Sequence, residues 1–221
     1  MEDFHFEATN DFIEAIAEVQ ILKNKAEDAL EADNDSLRMM FLKLAVVNCV
    51  IKFQVFVEQI LKEYKYKVTI SGKKNKDLPE HLRLNWLRIA LSDPKIENCL
   101  KNPSLFNSDK LIEVRRLLYS KYTISHDERS TCHEIQFETK FPMGKQGLKE
   151  LAKLFKQING ENIFELSTLD KNRLNEILNI RHKIVHEDAN PATLSEAKII
   201  EYKNFICDLV KEIDVYTSNF C

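Results

Sequence analysis

The segment RHKIVH, residues 181–186, holds side chains suited to chemistry on a phosphodiester. Imidazole titrates near neutral pH, so His186 is a candidate general acid or base. A guanidinium is always charged and binds phosphate oxygens in pairs, so Arg181 is a candidate phosphate clamp. His182 lies one helical turn before His186 and is predicted to hold the phosphate or to orient that imidazole. Lys183 is predicted to add a contact to the substrate backbone.

Ser167 and Asp170 have the spacing of a capping box, which predicts the start of the helix that carries this segment. Arg181 falls among the apolar positions of that helix, and burying an unpaired guanidinium costs free energy. We therefore expect Arg181 either to reach a carboxylate such as Glu58 or to line a polar cleft where two surfaces meet. In the purely structural alternative, the two histidines are exposed residues near a helix end. The apolar positions are Leu174, Ile177, Leu178, Ile184 and Val185.

A short loop and a final helix follow the segment. Thr193 and Glu196 have the spacing of a capping box, and Pro191 prevents continuation of the preceding helix. The loop is therefore predicted over roughly 187–192. The final helix keeps a helical period of apolar residues: Ile199, Tyr202, Ile206, Leu209, Ile213 and Tyr216.

The N-terminal part of the chain predicts two helices. Asp11 and Glu14 suggest a cap for the first, which ends near 33–34, and Asp35 or Ser36 caps a second that runs to about Tyr64. Because the second helix is so apolar, we expect it to be covered on more than one side, as a bundle centre or a dimer interface. Its predicted apolar face contains Leu37, Phe41, Leu44, Val47, Ile51, Val55 and Ile60.

The same helix contains the most apolar stretch of the chain, residues 41–57. Polar residues interrupt it, whereas a membrane span needs about twenty mostly apolar residues, so a buried helix and no membrane partner are predicted. The N-terminus is acidic and lacks the apolar run of a secretory signal. The interrupting residues are Lys43, Asn48, Lys52 and Gln54.

The middle of the chain, about 66–145, is less regular and is predicted to be an insertion into a single domain that spans 1–221. Short helices are predicted near 79–91, 94–101 and 108–119, and alternation over 133–141 predicts a short β-hairpin or an extended segment. A further helix is predicted over 146–159, ended by Gly160. Six lysines between 62 and 76 indicate either a solvated loop or a phosphate-attracting patch.

Composition excludes several classes of protein. With 44% hydrophobic residues, four glycines and five prolines among 221 residues, long helices around a real core are favoured. A formal net charge of −3 argues against a broadly basic nucleic-acid coat. The five scattered cysteines are expected to be reduced thiols: Cys49, Cys99, Cys132, Cys207 and Cys221.

No metal site or cofactor site is predicted. His126, Cys132 and His133 do not have the spacing of a standard zinc site and lack an evident fourth ligand, so we expect them to be loop residues. The sequence also lacks a P-loop, a dinucleotide-binding GxGxxG, a GxSxG and an HExxH motif.

Residues 181–186 resemble the Arg-x4-6-His signature of HEPN domains (higher eukaryotes and prokaryotes nucleotide-binding), which ends the penultimate core helix of that family. Members often carry Asn after the Arg, and His182 stands at that position here. The long apolar helix and the final helix also resemble the family over about 10–64 and 146–217. The chain looks most like the branch that includes the RiboL-PSP type.

This resemblance implies an all-α HEPN-type helical bundle and a metal-independent endoribonuclease that leaves 2′,3′-cyclic phosphate ends. In that family, two copies of the motif meet across a homodimer and build a composite site. The implied catalytic residues are Arg181 and His186, supported by His182 and Lys183. The implied substrate is RNA, and the implied setting is a cytoplasmic bacterial anti-phage defence or toxin system, with an antitoxin or defence-system partner.

Two other functions stay open. The chain is alternatively a non-catalytic dimerisation or interaction module, or a nucleotide-binding partner of a nucleotidyltransferase, since some HEPN domains only bind. A blocked or dispersed cluster of Arg181 and His186 would favour the module. Two such clusters facing each other in a basic cleft would favour the nuclease.

Overall fold

The architecture is all-α, as predicted. A computed structural model describes residues 4–92, 94–101, 108–126, 135–142, 147–166, 170–187, 189–191 and 193–221, and these contain no β-strand. A single 3-10 turn covers Asn75–Asp77. The helices are α1 Glu7–Ala15, α2 Ala17–Glu31, α3 Asp35–Ile70, α4 Glu80–Leu91, α5 Pro94–Lys101, α6 Ser108–His126, α7 Gly147–Asn159, α8 Ile163–Leu166, α9 Lys171–Glu187 and α10 Glu196–Ser218.

The chain divides into two compact units. The first contains residues 1–64, 139–154 and 162–219, and the second contains 65–138, 155–161 and 220–221. The candidate site residues all belong to the first unit. The organisation as a single domain with an insertion over about 66–145 stays a prediction.

One side of α3 forms the centre of the first unit. The side chains on this side are almost fully buried, as expected for a helix that lines a core. The predicted apolar face is not the side that lines this core: of its seven residues only Ile60 is buried, and Leu37, Leu44, Ile51 and Val55 are exposed. Its alternative role, as a dimer interface, stays a prediction. The buried side consists of Leu42, Ala45, Val46, Cys49, Val50, Phe53, Phe56, Val57, Ile60, Leu61 and Tyr64.

By length and composition alone, α3 also passes the criterion for a membrane span. The mean hydropathy of its most apolar window is 1.8, and 44% of that window is buried inside the protein. Core helices of soluble proteins pass the same criterion, so it is weak evidence for a membrane. The buried side of α3 agrees with the predicted core helix.

The first predicted helix is two helices, and its predicted cap was wrong. Asp11 lies inside α1, which begins at Glu7 because the Glu63 carboxylate accepts the backbone N–H groups of Glu7 and Ala8 at 2.9 and 2.8 Å. A distant residue on α3 thus supplies what a local cap would otherwise supply. For α3, the Asn34 side chain accepts the Leu37 N–H at 3.0 Å, so the cap is not Asp35 or Ser36.

Asp214 on α10 anchors the chain before and within α1. This buried carboxylate accepts the backbone N–H groups of His5 and Phe6 at 3.0 and 3.1 Å and the Thr9 hydroxyl at 2.6 Å. His5 Nδ1 lies 2.7 Å from the same carboxylate. A buried carboxylate with four such contacts has its hydrogen-bonding capacity well used, which makes burial of the charge tolerable.

The apolar face predicted for the final helix is confirmed, because all six of its residues are buried. The helix predicted over 146–159 is α7. Gly147, its first residue, lies where a Cβ would come within 2.6 Å of Leu178 Cδ1 on α9. Absence of a side chain at this glycine therefore allows the close approach of α7 and α9.

In the second unit, the predicted short helices are α4, α5 and a longer α6. The loop predicted for the lysine-rich segment 62–76 was wrong in its first part, because residues 62–70 continue α3.

The cap at Gly160 is confirmed: its φ is 88°, its N–H donates to the Lys156 carbonyl at 2.8 Å, and a Cβ there would overlap the His81 ring.

Of the two forms predicted for 133–141, the β-hairpin is not formed over the described residues 135–141, and residues 133–134 lie outside the described part. The alternation appears instead as an extended segment with Ile135, Phe137 and Phe141 buried. Helix side chains take the place of a strand partner. Within the first unit, Phe141 N–H donates to Glu58 at 3.1 Å and its carbonyl accepts from Gln54 at 3.0 Å.

Glu138 is held in the same way within the second unit. Its N–H donates to the Gln157 side chain at 2.9 Å, and the Gln157 amide donates to its carbonyl at 2.6 Å. The side-chain amide of Gln157 accepts one hydrogen bond and donates the other, which reproduces the pairing of a β-ladder.

Three cysteines are free thiols, in agreement with the predicted reduced state: Cys49, Cys207 and Cys221. Burial raises the pKa of the Cys49 thiol to about 12.

Cys132, His133 and the side chains of Cys99 and His126 lie outside the described part. Elsewhere in the described chain no group of three or more His, Cys, Asp and Glu side chains could hold a metal ion.

We expect Asp214→Ala to lower the free energy of unfolding by about 3 kcal/mol, because it leaves buried donors without an acceptor. Urea denaturation followed by circular dichroism measures the change. Asp208→Ala, an exposed position on the same helix, is the matched control and should change stability by less than about 0.5 kcal/mol. Equal unfolding midpoints for the two variants would contradict the anchoring role.

Candidate functional site

Helix α9 carries the candidate site and begins at Lys171. The Asp170 carboxylate accepts the Asn172 N–H at 2.8 Å, and the Asp170 carbonyl accepts the Arg173 N–H at 3.0 Å. Asp170 is thus the N-cap of α9, rather than the third residue after a Ser167 cap. Ser167 lies outside the described residues.

The first three turns of α9 are buried against the core. Leu174, Ile177, Leu178 and Ile180 are the buried residues, and the close contact at Gly147 sets the distance to α7. After Arg181 the helix no longer packs on the core along all of its length. Its exposed residues there are Lys183, Val185, His186 and Glu187. The apolar core therefore fixes the helix and leaves its last turn open to a ligand or a partner.

A charged network connects the beginning of α9 to α10. Glu176 accepts the Tyr202 hydroxyl at 2.7 Å, Arg173 at 2.8 Å and Lys198 at 3.3 Å. Arg173 and Lys198 also contact Glu201. Although burial opposes it, hydrogen bonds from Tyr202, Lys198 and Arg173 keep the pKa of Glu176 below its usual value. The sequence reasoning missed this network, although the Arg173–Glu176 spacing was a signal for an ion pair on one helix face.

Arg181 is half-buried and incompletely satisfied. Its Nε atom is buried and has no hydrogen-bond partner among the described residues. One of the two predicted arrangements, an ion pair between Arg181 and Glu58, is not formed, although both residues are described. The Glu58 carboxylate instead accepts the Phe141 N–H. A buried guanidinium nitrogen without an acceptor is costly, which is consistent with a group kept for an external anion.

His182 and His186 lie together on one side of α9. Their ring centroids are 4.6 Å apart with planes inclined by 41°. His182 is half-buried, whereas His186 and Lys183 are exposed. The predicted pairing of the two imidazoles on one helical face is confirmed, and it permits His182 to position His186.

Arg181 projects from a different side of the helix. At about 100° and 1.5 Å per residue, its Cα lies roughly 140° around the axis and about 7.5 Å along it from that of His186. The corresponding angle between His182 and His186 is only about 40°. A single α9 therefore presents the imidazole pair and the guanidinium in divergent directions.

The connection after α9 folds back on the helix end. The Ala189 N–H donates to the Lys183 carbonyl at 3.2 Å, and the Leu194 N–H donates to the Pro191 carbonyl at 3.0 Å. The first bond joins residues six positions apart, so it returns the chain to the last turn of the helix. The chain after the site is thus held close to the last turn of α9.

The predicted capping box of Thr193 and Glu196 was wrong. α10 begins at Glu196 with Ser195 as its N-cap, whose hydroxyl accepts the Lys198 N–H at 3.3 Å. The turn from Pro191 to Leu194 and the burial of Leu194 move the helix start two residues along the chain.

Glu196 instead forms a bidentate ion pair with Arg38 on α3. The Nε–Oε1 and Nη2–Oε2 distances are 2.6 and 2.8 Å, and both side chains are largely buried. Its hydrogen bond with Arg38 lowers the pKa of the Glu196 carboxyl. This pair, which the sequence reasoning missed, joins the start of α3 to the start of α10, directly after the connection that follows the site.

A groove runs beside the same connection. Asn190 lines it together with Leu37, Met40 and Lys43 from the first turns of α3. The N-terminal end of α3 and the connection that follows the site helix thus border one surface depression.

Comparison with known proteins supports a family assignment. The family model described as RiboL-PSP-HEPN matches residues 10–219. No curated protein and no solved structure matches the chain significantly. The matched range includes every candidate site residue and the middle of the chain.

We expect Glu196→Gln to lower the free energy of unfolding by about 1–2 kcal/mol at pH 7, because it removes one charge from a largely buried pair. A carboxyl with a lowered pKa stabilises the fold above its ordinary pKa, and this contribution is lost as the pH falls through the lowered value. The difference between wild type and variant should therefore shrink between pH 7 and pH 3 in urea denaturation. Glu31→Gln, at an exposed position, is the control, and a difference that does not vary with pH would contradict the assignment.

Proposed function

We propose that this chain, which belongs to the RiboL-PSP-HEPN family, is an endoribonuclease that cleaves RNA without a metal ion. HEPN domains are often ribonucleases, which supports an RNase-type or nucleotide-related function in a general way. The specific observation behind the proposal is that one helix carries Arg181, whose Nε atom is buried without an acceptor in the described chain, and a pair of imidazoles in mutual contact.

The proposed reaction uses the nucleophile that RNA itself carries. The 2′-hydroxyl loses its proton and attacks the adjacent phosphorus, the bond from phosphorus to the 5′-oxygen breaks, and the leaving oxygen takes up a proton. His186 is the proposed acid or base, because it is exposed and imidazole is the side chain that most often transfers protons in general acid–base catalysis. Arg181 stabilises the charge on the phosphorane, and the products are a 2′,3′-cyclic phosphate and a 5′-hydroxyl.

His182 and Lys183 have supporting roles in this proposal. The contact between the two imidazole rings lets His182 orient His186 or bind a phosphate oxygen. The exposed Lys183 adds an electrostatic contact to the RNA backbone.

The site is proposed to be completed by a second copy of the chain. Arg181 and His186 diverge by roughly 140° around one helix, so a single copy does not direct both groups at one phosphate. In a symmetric homodimer, the guanidinium of one copy and the imidazole of its partner can converge.

The proposed setting is the bacterial cytoplasm, in an anti-phage defence or toxin system with an antitoxin or defence-system partner. This part of the proposal rests on the family resemblance alone.

We expect purified wild-type protein to cleave total RNA in the presence of EDTA and His186→Ala to lose about 10²–10⁴-fold of the rate, as for removal of a general acid or base. Asn175→Ala, an exposed change on an earlier turn of the same helix, should cleave normally. Detection of 2′,3′-cyclic phosphate ends identifies the reaction. Equal cleavage by wild type and His186→Ala would refute the site, and cleavage by neither would favour the interaction module.

A mixing experiment tests the composite site. Arg181→Ala and His186→Ala are each expected to be inactive, and refolding them together should restore about a quarter of wild-type activity, since half of the dimers are mixed and each has one complete set of groups. Two His186→Ala preparations that differ only in their affinity tags are refolded together as the control. No recovery from the mixture of different variants, while wild type refolds to full activity, would show that both groups act within one chain.

A further inference from the structure

The outward side of α3 carries an apolar strip in the first unit. We define the apolar strip as Leu37, Met40, Leu44, Ile51 and Val55, each between 37% and 48% exposed. At about 100° per residue these five side chains fall within roughly 60° of arc, and at 1.5 Å per residue the strip is about 27 Å long.

The apolar strip lies opposite the buried side of the same helix. A helix that packs on a core by one side normally carries polar residues on the other, as the amphipathic pattern requires. Isolated exposed apolar residues are ordinary, but a continuous row of this length indicates an interaction surface.

The spacing of the strip is that of a coiled-coil seam. Leu37, Leu44 and Ile51 are seven residues apart, and Met40 and the half-buried Val47 lie three residues after the first two. A heptad pattern of this kind packs against a second helix with the same pattern by inserting side chains into holes. The surface is thus complementary to itself, which a twofold symmetric contact requires.

We propose that the apolar strip is the contact with a second copy of this chain, with the two α3 helices parallel. The direction rests on the proposed composite site, because only parallel helices bring the Leu37 ends of the two strips, and with them the grooves that Asn190 lines, to the same end of the pair. Glu18, beside the strip, pairs with Lys52 at 2.9 Å and accepts a hydrogen bond from Asn48 at 3.2 Å, so this ion pair adds no net charge to the flank.

The parallel arrangement has a consequence for the candidate site. Leu37 and Met40, at the N-terminal end of the apolar strip, line the same groove as Asn190, which follows the site helix. In a parallel pair, both copies of this groove lie at the same end of the dimer. An antiparallel pair would separate the two ends by about the length of the strip. The proposal therefore specifies the partner on which the proposed nuclease site depends, although the contact itself does not rest on RNA cleavage.

Cysteine cross-linking tests both the contact and its direction. Leu37→Cys, Leu44→Cys and Ile51→Cys are made one at a time and oxidised mildly, with the parent protein showing the background from its own cysteines. In a parallel pair each position faces its own copy at disulfide distance, so all three variants should give covalent dimers. Val215→Cys, an exposed apolar position on α10, should stay at the parent level. Cross-linking of one variant at most, or of Val215→Cys equally, would overturn the proposal.

Leu44→Glu tests the strip without cysteine. We expect the mass measured by light scattering to fall to half that of the wild type, with unchanged helix content by circular dichroism, because the two introduced carboxylates would face each other across the seam. A wild-type protein that is monomeric at high concentration would overturn the proposal, and so would a variant that stays dimeric. Binding of the monomeric wild type to vesicles of anionic phospholipid would assign the strip to a membrane surface instead.

These measurements need no RNA, so the two proposals can fail separately. A protein that cross-links at all three positions but cuts no RNA keeps the interface and loses the nuclease. A protein that cuts RNA but gives no cross-link at the strip keeps the nuclease and loses this interface.

Discussion

Burial of one side of α3 is the constraint on which the first unit depends. Eleven side chains from Leu42 to Tyr64 line that side almost without exposure, and their transfer from water is the main term that favours the fold. The aromatic groups of Phe53 and Phe56 contact each other, and Phe12 and Phe141 pack on them from α1 and the extended segment. A volume change at these close-packed positions is felt by several elements together.

Polar groups of α3 next to this buried side hold the neighbouring backbone. Glu63 accepts two N–H groups at the start of α1, and Gln54 and Glu58 satisfy Phe141. Asp214 performs the same task from α10. Buried backbone groups need partners, and here distant side chains supply them in places where neither a local cap nor a strand is available. The helical core therefore also determines the path of the non-helical segments.

The candidate site follows from the way α9 leaves this core. Its first turns are held by apolar packing and by the network around Glu176, while its last turn is exposed. The pair of Arg38 and Glu196 fixes the connection that follows. A rigid helix with an open end suits a site that a second molecule completes, because the groups are positioned in advance. Arg181 Nε is one of four buried side-chain atoms without a hydrogen-bond partner among the described residues.

The sequence by itself determined the helical class, the order of the long helices, the buried face of α10 and the positions of Arg181, His182 and His186 on one helix. These features follow from the spacing of apolar residues along a single helix, which is a local property of the sequence. The tertiary structure alone decided the caps, since Glu63, Ser195 and Asn34 replaced the predicted residues. It also decided which side of α3 faces inward, because a helix that is apolar all round has no polar face to orient it. That choice, made by packing between distant segments, buries the one side and leaves the apolar strip on the surface.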